Sequence, residues 1–202
     1  MRLMKYIPIF ILFLIFSCKS ETDKRSPLNK HNPYTEIKQN IENDTAIALY
    51  YAGTEKYQKM EYDSAMYYFD LSLRFEPNPI TYNELGTTSA TERKYKQAIE
   101  FFKKGRELDS EYWPNYINES RTYLTLAEFD KGKIILNEMI QKCDSDYWTA
   151  YANFYLALMY FNDGLDCQKV EELLEKSRSM LDDSELKNQY EKFNETFKNN
   201  CG

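Results

Sequence analysis

An all-α fold is predicted, an array of about four helix hairpins closed by one further helix, and three observations predict it. Only six glycines and six prolines occur in 202 residues. A many-stranded architecture needs such turn formers about every ten residues. Hydrophobic residues make up 43% of the chain and aromatic residues 16%, enough to bury a core and too apolar for a disordered chain. Small residues also recur in register. Gly53, Gly86 and Ser120 are separated by 33 and 34 positions, and Ala65, Ala98 and Gly132 keep those separations twelve residues later. Phe69, Phe102 and Leu136 follow four residues further on. Two small residues per period let paired helices approach closely, and the large one fills the space beside the contact.

The N-terminus is of a different kind. Residues 1–17 hold Arg2 and Lys5 and no acid, so the rest of the chain carries 24 basic against 32 acidic side chains. That balance disfavours a nucleic-acid partner. The ten-residue run Ile7 to Phe16 is interrupted only by Pro8. At ~1.5 Å per helical residue it reaches about half of a ~30 Å hydrocarbon core, which fits a secretory signal better than a membrane span. The segment Ile15-Phe16-Ser17-Cys18 resembles the lipobox of a bacterial lipoprotein of the Bacteroidota-like kind. The resemblance implies a signal peptide over 1–17, lipidation of Cys18 and attachment to a membrane. Lys19 after Cys18 implies the outer membrane by analogy. An ordinary cleaved signal with an incidental cysteine is the alternative. Residues 18–43, polar and containing Pro27 and Pro33, read as a tether with a turn of helix at Tyr34 to Ile41. A flexible tether of ~25 residues has an r.m.s. span of ~25–30 Å.

Four repeats follow. The first, about 46–78, supplies Leu49, Ala52-Gly53, Ala65, Phe69, Ser72 and Pro77. The second, about 79–112, has Tyr82, Leu85-Gly86, Ala98, Phe102 and Gly105, with Ser110 in place of the proline. The third, about 113–146, keeps Tyr116, Ser120, Tyr123, Gly132, Leu136 and Met139, but Glu119 replaces the usual leucine. The fourth, about 147–181, offers Leu156-Ala157, Tyr160, Val170, Leu174 and Ser177, displaced by one residue in the Asn162 to Cys167 turn. These residues resemble the tetratricopeptide repeat, which implies a right-handed superhelix over 44–199. Lys59 to Asp63, Arg93 to Tyr95 and Glu128 to Asp130 are expected between paired helices, with Asp63 capping the second helix of its hairpin. Asp183-Ser184 would cap a last helix to about Lys198, whose stripe of Leu186, Tyr190, Phe193 and Phe197 covers the open end of the stack.

Cys143, Cys167 and Cys201 remain beyond Cys18, and an exported chain meets conditions in which disulfides persist. Cys167 ends the turn within the fourth hairpin, and the last helix climbs back to finish near Cys201. Cys143 lies at the far end of a helix about 20 Å long, out of reach of Cys167. The expected pair is therefore Cys167 with Cys201, free thiols being the alternative. His31, the only histidine, falls in the tether, so no histidine dyad, histidine metal site or paired-cysteine zinc motif is expected. Glu171, Glu172 and Glu175 follow helical spacing beside lysines and read as a solvated face. No cofactor or metal and no enzymatic activity is expected. Asp44-Thr45-Ala46 and Asp63-Ser64-Ala65 resemble the acceptor triplet for O-glycans in Bacteroidota envelope proteins, and helix capping accounts for both Asp residues as well.

In a tetratricopeptide array the first helix of each hairpin lines the concave surface. Carried across by register, the resemblance implies a partner-binding groove that includes Tyr50, Thr54 and Tyr57, then Asn83 and Thr87, then Arg121, then Tyr151, Phe154 and Phe161. Ile47, Ile80, Ala90, Ile117, Leu124 and Leu158 share those rows. Such a groove is aromatic and mostly uncharged, and Asn83 with Arg121 would orient a backbone or one carboxylate. The expected function is a noncatalytic scaffold for a protein or peptide, held to the envelope by its lipid. A glycan- or peptidoglycan-binding accessory that stacks sugars on the aromatic groove is the alternative. A third reading places Tyr151, Phe154 and Phe161 against the capping helix or the tether.

Overall fold

The computed structural model describes residues 41–182 and 184–201. The first two hairpins are α1 (Asp44–Gln58) with α2 (Tyr62–Phe75), and α3 (Pro79–Thr91) with α4 (Tyr95–Leu108). The next two are α5 (Trp113–Thr125) with α6 (Phe129–Lys142), and α7 (Asp146–Asn162) with α8 (Cys167–Lys176). A 3₁₀ turn at Arg178–Asp182 leads into α9 (Ser184–Cys201). No strand occurs among the described residues. Each helix packs on its successor as far as α8, while α5 also touches α3 and α7. First helices thus form one wall of a superhelix and second helices the other.

The recurrent small residues lie where the hairpins close. Gly53, Gly86, Ser120, Ala65, Ala98 and Gly132 are all buried. A β-carbon on Gly53 would stand 2.6 Å from the Phe69 ring, and one on Gly86 would collide with Phe102. Ser120 has room for its hydroxyl, which donates to the Gly132 carbonyl at 3.4 Å. In the fourth hairpin Ala157 and Val170 are fully buried, and the extra residue is absorbed by left-handed Gly164 and Leu165 (φ 107° and 54°).

The first helices α1 and α3 start on side-chain caps, whereas α5 starts after Tyr112 without one. The Asn43 carboxamide accepts from the amides of Thr45 and Ala46 (2.9 and 3.0 Å), and that of Asn78 accepts from Thr81 (2.8 Å), ahead of Pro79 at the first helical position. Asn43, not Asp44, is the cap of α1. Within the first three hairpins the expected capping fails and no side chain caps the second helix, whereas in the fourth the Asp166 carboxylate accepts from the Lys169 amide at 3.0 Å. Glu61, Lys94 and Glu128 precede α2, α4 and α6 without a side-chain cap bond, and Asp63 lies inside the first turn of α2. The turn instead closes through backbone. Met60, Arg93 and Ala127 take φ of 61°, 61° and 55°. Their amides donate to Tyr57, Ala90 and Leu124, and the next amides reach back to Lys56, Ser89 and Tyr123. This paired bonding satisfies the last carbonyls of each first helix.

Two boundaries shift. Ile41, assigned to the tether, is 1% exposed and belongs to the cluster of Ala46, Tyr50, Phe69 and Leu85. The Glu76 carboxylate fixes this entry by accepting from the amides of Glu42 and Asn43. At the other end α9 continues through Cys201. Cys18, the rest of the tether and Asp183 lie outside the described residues.

Glu119, at the position where leucine is usual, is 2% exposed. Its carboxylate accepts from Arg106 Nε at 2.7 Å. The guanidinium also reaches Glu138 at 3.4 Å and stacks 4.7 Å over the Tyr116 ring. Burial pushes the Glu119 carboxyl up and Arg106 opposes that shift, as a desolvated ion pair requires.

Candidate functional site

First helices meet along part of their length, α3 with α5 and α5 with α7. Where they meet, side chains are interior: Tyr50, Ile80, Ile117 and Phe154 are at most 2% exposed. Toward the ends of α1, α3 and α5 the wall parts into a cleft of about 360 Å³. Tyr57 from α1, Thr87 and Thr91 from α3, and Asn118, Arg121 and Thr125 from α5 line it, with Tyr95 and Phe102 of α4 beneath. The spacing within α5 is one face of a helix, i, i+3 and i+7.

A string of hydrogen bonds organises the polar side. The Asn118 amide donates to Asn83 Oδ1 at 2.9 Å, and its own Oδ1 accepts from Arg121 Nη1 at 3.1 Å. Arg121 rests 5.7 Å from the Tyr155 ring centre and is otherwise exposed. Across α1 and α3 the Tyr57 and Thr91 hydroxyls lie 3.2 Å apart. Thr91 and Thr125 donate to carbonyls one turn back in their own helices (2.9 and 3.0 Å), so their hydroxyls face a visitor mainly as acceptors. Among the lining residues Arg121 is the one Arg, Lys, His, Asp or Glu. The cleft can therefore take a chain that offers both N–H donors and carbonyl or carboxylate acceptors.

The residues expected in the groove do not stay together. Tyr57, Thr87 and Arg121 line the cleft, together with Ala90. Asn83, 8% exposed, stands behind it and holds Asn118. The half-buried Thr54 hydroxyl is spent on the Tyr50 carbonyl at 3.1 Å. Tyr50 points inward, 5.7 Å from the Phe69 ring, and its hydroxyl bonds the Glu84 carboxylate. Tyr151 is half-buried in a cluster with Tyr147, Trp148 and Tyr155 at 6.2, 6.0 and 5.3 Å. Burial, then Tyr155, pushes its hydroxyl well above the usual range.

Phe154 and Phe161 depart from the expected open wall. Phe154 meets Tyr190 and Phe193 at 6.2 and 5.9 Å, and Phe161 meets Phe193 at 5.3 Å. The capping helix covers both, as the third reading anticipates. Asn118, Thr91 and Thr125 were not among the expected residues. Their signal is Asn118 standing 35 positions after Asn83, and the i+4 steps from Thr87 and Arg121. The structure also joins Cys167 to Cys201, with Cα atoms 5.7 Å apart, and leaves Cys143 as a half-buried thiol.

Stacked hairpins with an inner cleft define the class as an all-α helical-repeat superhelix of the tetratricopeptide type. Solved structures with this fold include MamA from Desulfovibrio magneticus RS-1, at 19% identity over 70% of this chain and 77% of that one, with a TM-score of 0.57. A second MamA structure matches at 26% identity over 68% and 73%, with a TM-score of 0.58. YrrB, described as a TPR protein with an unusual peptide-binding site, matches at 19% identity over 79% and 80%, with a TM-score of 0.57. No family model and no curated protein matches the chain.

Proposed function

We propose that this protein is a noncatalytic scaffold that holds a protein or peptide segment at a bacterial envelope, with the segment lying in the cleft between α1, α3 and α5. The observation that carries this reading is the Asn83–Asn118–Arg121 string on an open wall. It offers amide and guanidinium groups at hydrogen-bonding reach of an extended backbone, beside the apolar faces of Tyr57 and Ala90. The peptide-binding site ascribed to YrrB supports the same class of ligand. Lipid attachment at Cys18 and an outer-membrane position rest on the lipobox resemblance of residues 15–18 and on Lys19. A single histidine, and cysteines too widely spaced for a paired zinc-ligand motif, support a binding role over an enzymatic one. Sugar stacking is the weaker reading, since Tyr50, Phe154 and Phe161, which a ladder of rings would need, are turned inward or covered.

The test is cross-linking in the native envelope followed by mass spectrometry, with wild type beside Thr87→Trp, which fills the cleft, and Arg121→Ala. One dominant protein partner in wild type, reduced at least about tenfold in both variants while helical content is unchanged, is the expected result. Equal recovery from all three would move the site elsewhere, and murein fragments alone would favour the glycan reading. Metabolic labelling with a fatty acid should mark wild type and leave Cys18→Ser unmarked; an unlabelled wild type removes the anchor.

A further inference from the structure

α9 is held differently at its two ends. Its first half buries Leu186 and Tyr190, and the Tyr190 hydroxyl donates to the Leu174 carbonyl at 3.1 Å. Its second half, 193–201, contributes Phe193 and half-buried Phe197, while Glu195, Thr196 and residues 198–200 are exposed. Between these turns and α8 lies a cleft of about 520 Å³, floored by Leu174, Tyr190 and Phe197 and edged by Glu171, Glu175 and Lys198. Closely packed helices leave no such space. The Cys167–Cys201 bond, spanning the first residue of α8 and the last of α9, stands at the cleft's end and keeps the two helices together there. Through Phe193 these turns cover Phe161 and one side of Phe154, whose other neighbour, Tyr190, belongs to the first half.

We propose that the Cys167–Cys201 bond is a reversible clamp: a dithiol reductant opens it, releases the second half of α9 (193–201), and uncovers Phe161 and the Phe193 side of Phe154 as an apolar extension of the inner wall. One thiolate of the dithiol attacks Cys201 Sγ, the S–S bond breaks, and Cys167 leaves as a thiolate. The second thiol of the reductant then displaces Cys201 from the mixed disulfide. The reductant becomes its own disulfide after giving two electrons, and both cysteines take protons from water. Cys167 suits the leaving role because it is the first residue of α8, where the helix dipole favours a thiolate, although the Asp166 carboxylate already takes the Lys169 amide there. Both sulfurs belong to half-buried residues within reach of a reductant. The clamp is independent of whether the cleft between α1, α3 and α5 takes a peptide.

The experiment is hydrogen exchange read by mass spectrometry on the full chain, its free thiols first blocked with iodoacetamide, before and after dithiothreitol. Opening a bridge between residues 34 apart in sequence should accelerate exchange over 193–201 on the order of 100-fold. Protection in α1 to α6 should stay unchanged, and an apolar dye should bind more strongly. Unchanged exchange over 193–201 would overturn the clamp. Loss of protection throughout α1 to α6 would overturn it equally, because the bond would then be a staple for the whole fold. In the oxidised Phe197→Ala variant residues 199–201 should keep their protection; losing it would show that packing, not the bond, secures the end of α9.

Discussion

Glu84 on α3 is the residue whose charge the fold controls most directly. Burial pushes its carboxyl up to about 7, against the pull of the Tyr50 hydroxyl. An unfolded glutamate titrates near 4.3, so between about pH 4.3 and 7 the native chain binds more protons than the unfolded one. Stability is then fullest below that window, falls as pH rises through it, and is level above. Glu84→Gln keeps an acceptor for Tyr50 and removes the charge. Wild type should lose about 2 kcal/mol relative to this variant between pH 5 and 7.5 in urea unfolding; parallel curves would show that Glu84 ionises at no cost. Nothing in the spacing of Glu84 distinguishes it from the exposed Glu171 and Glu172, because its environment is made by α1, thirty-four residues upstream of it. Glu119 was legible as an exception to a pattern, but its partner was not: Arg106 is on another helix and thirteen residues away.

Individual hairpins were the most legible part of the molecule. A small residue and, sixteen positions on, a phenylalanine are a contact visible in one dimension, and Gly53 with Phe69 and Gly86 with Phe102 realise it. Gly86→Ala tests its strength. The added methyl gains up to ~1 kcal/mol of helix propensity but must displace Phe102, at a typical cost of ~1–3 kcal/mol. A net loss of about 1–2 kcal/mol in unfolding free energy is expected, read from urea unfolding, and a stabilised variant would mean that Phe102 is not wedged there. The turns were illegible for a physical reason. Met60, Arg93 and Ala127 carry no glycine or asparagine signal, yet backbone bonds from both sides hold them left-handed. Likewise, register places Tyr50 and Phe154 in the concave rows, but whether a row is open depends on the neighbouring helix, which periodicity does not report.

Across the whole molecule the apolar core divides. One cluster gathers Ile41, Tyr50, Phe69, Ile80 and Leu85, and the other runs from Trp113 to Phe193. A polar seam joins them: Asn115 to the Pro79 carbonyl at 3.2 Å, Asn118 to Asn83, and Arg106 to Glu119. In a stack of repeats, stability is a sum of unit and interface contributions. Glu119→Ala, which leaves the Arg106 guanidinium only the longer contact to Glu138 at 3.4 Å, should cost about 2 kcal/mol and should split unfolding into two steps, the two halves melting apart. Urea unfolding followed by tryptophan fluorescence, which reports Trp113 and Trp148, and by circular dichroism would reveal the split as non-coincident curves. Coincident curves would mean that the seam couples the halves as firmly as a continuous apolar core.

The cleft between α1, α3 and α5 takes its walls from both sides of that seam. A guest bridging Thr87 and Arg121 would therefore set the bend of the stack, and the bend would set the guest's affinity by the same factor. Pulling the two halves straight empties the pocket; filling the pocket makes the rod resist being straightened.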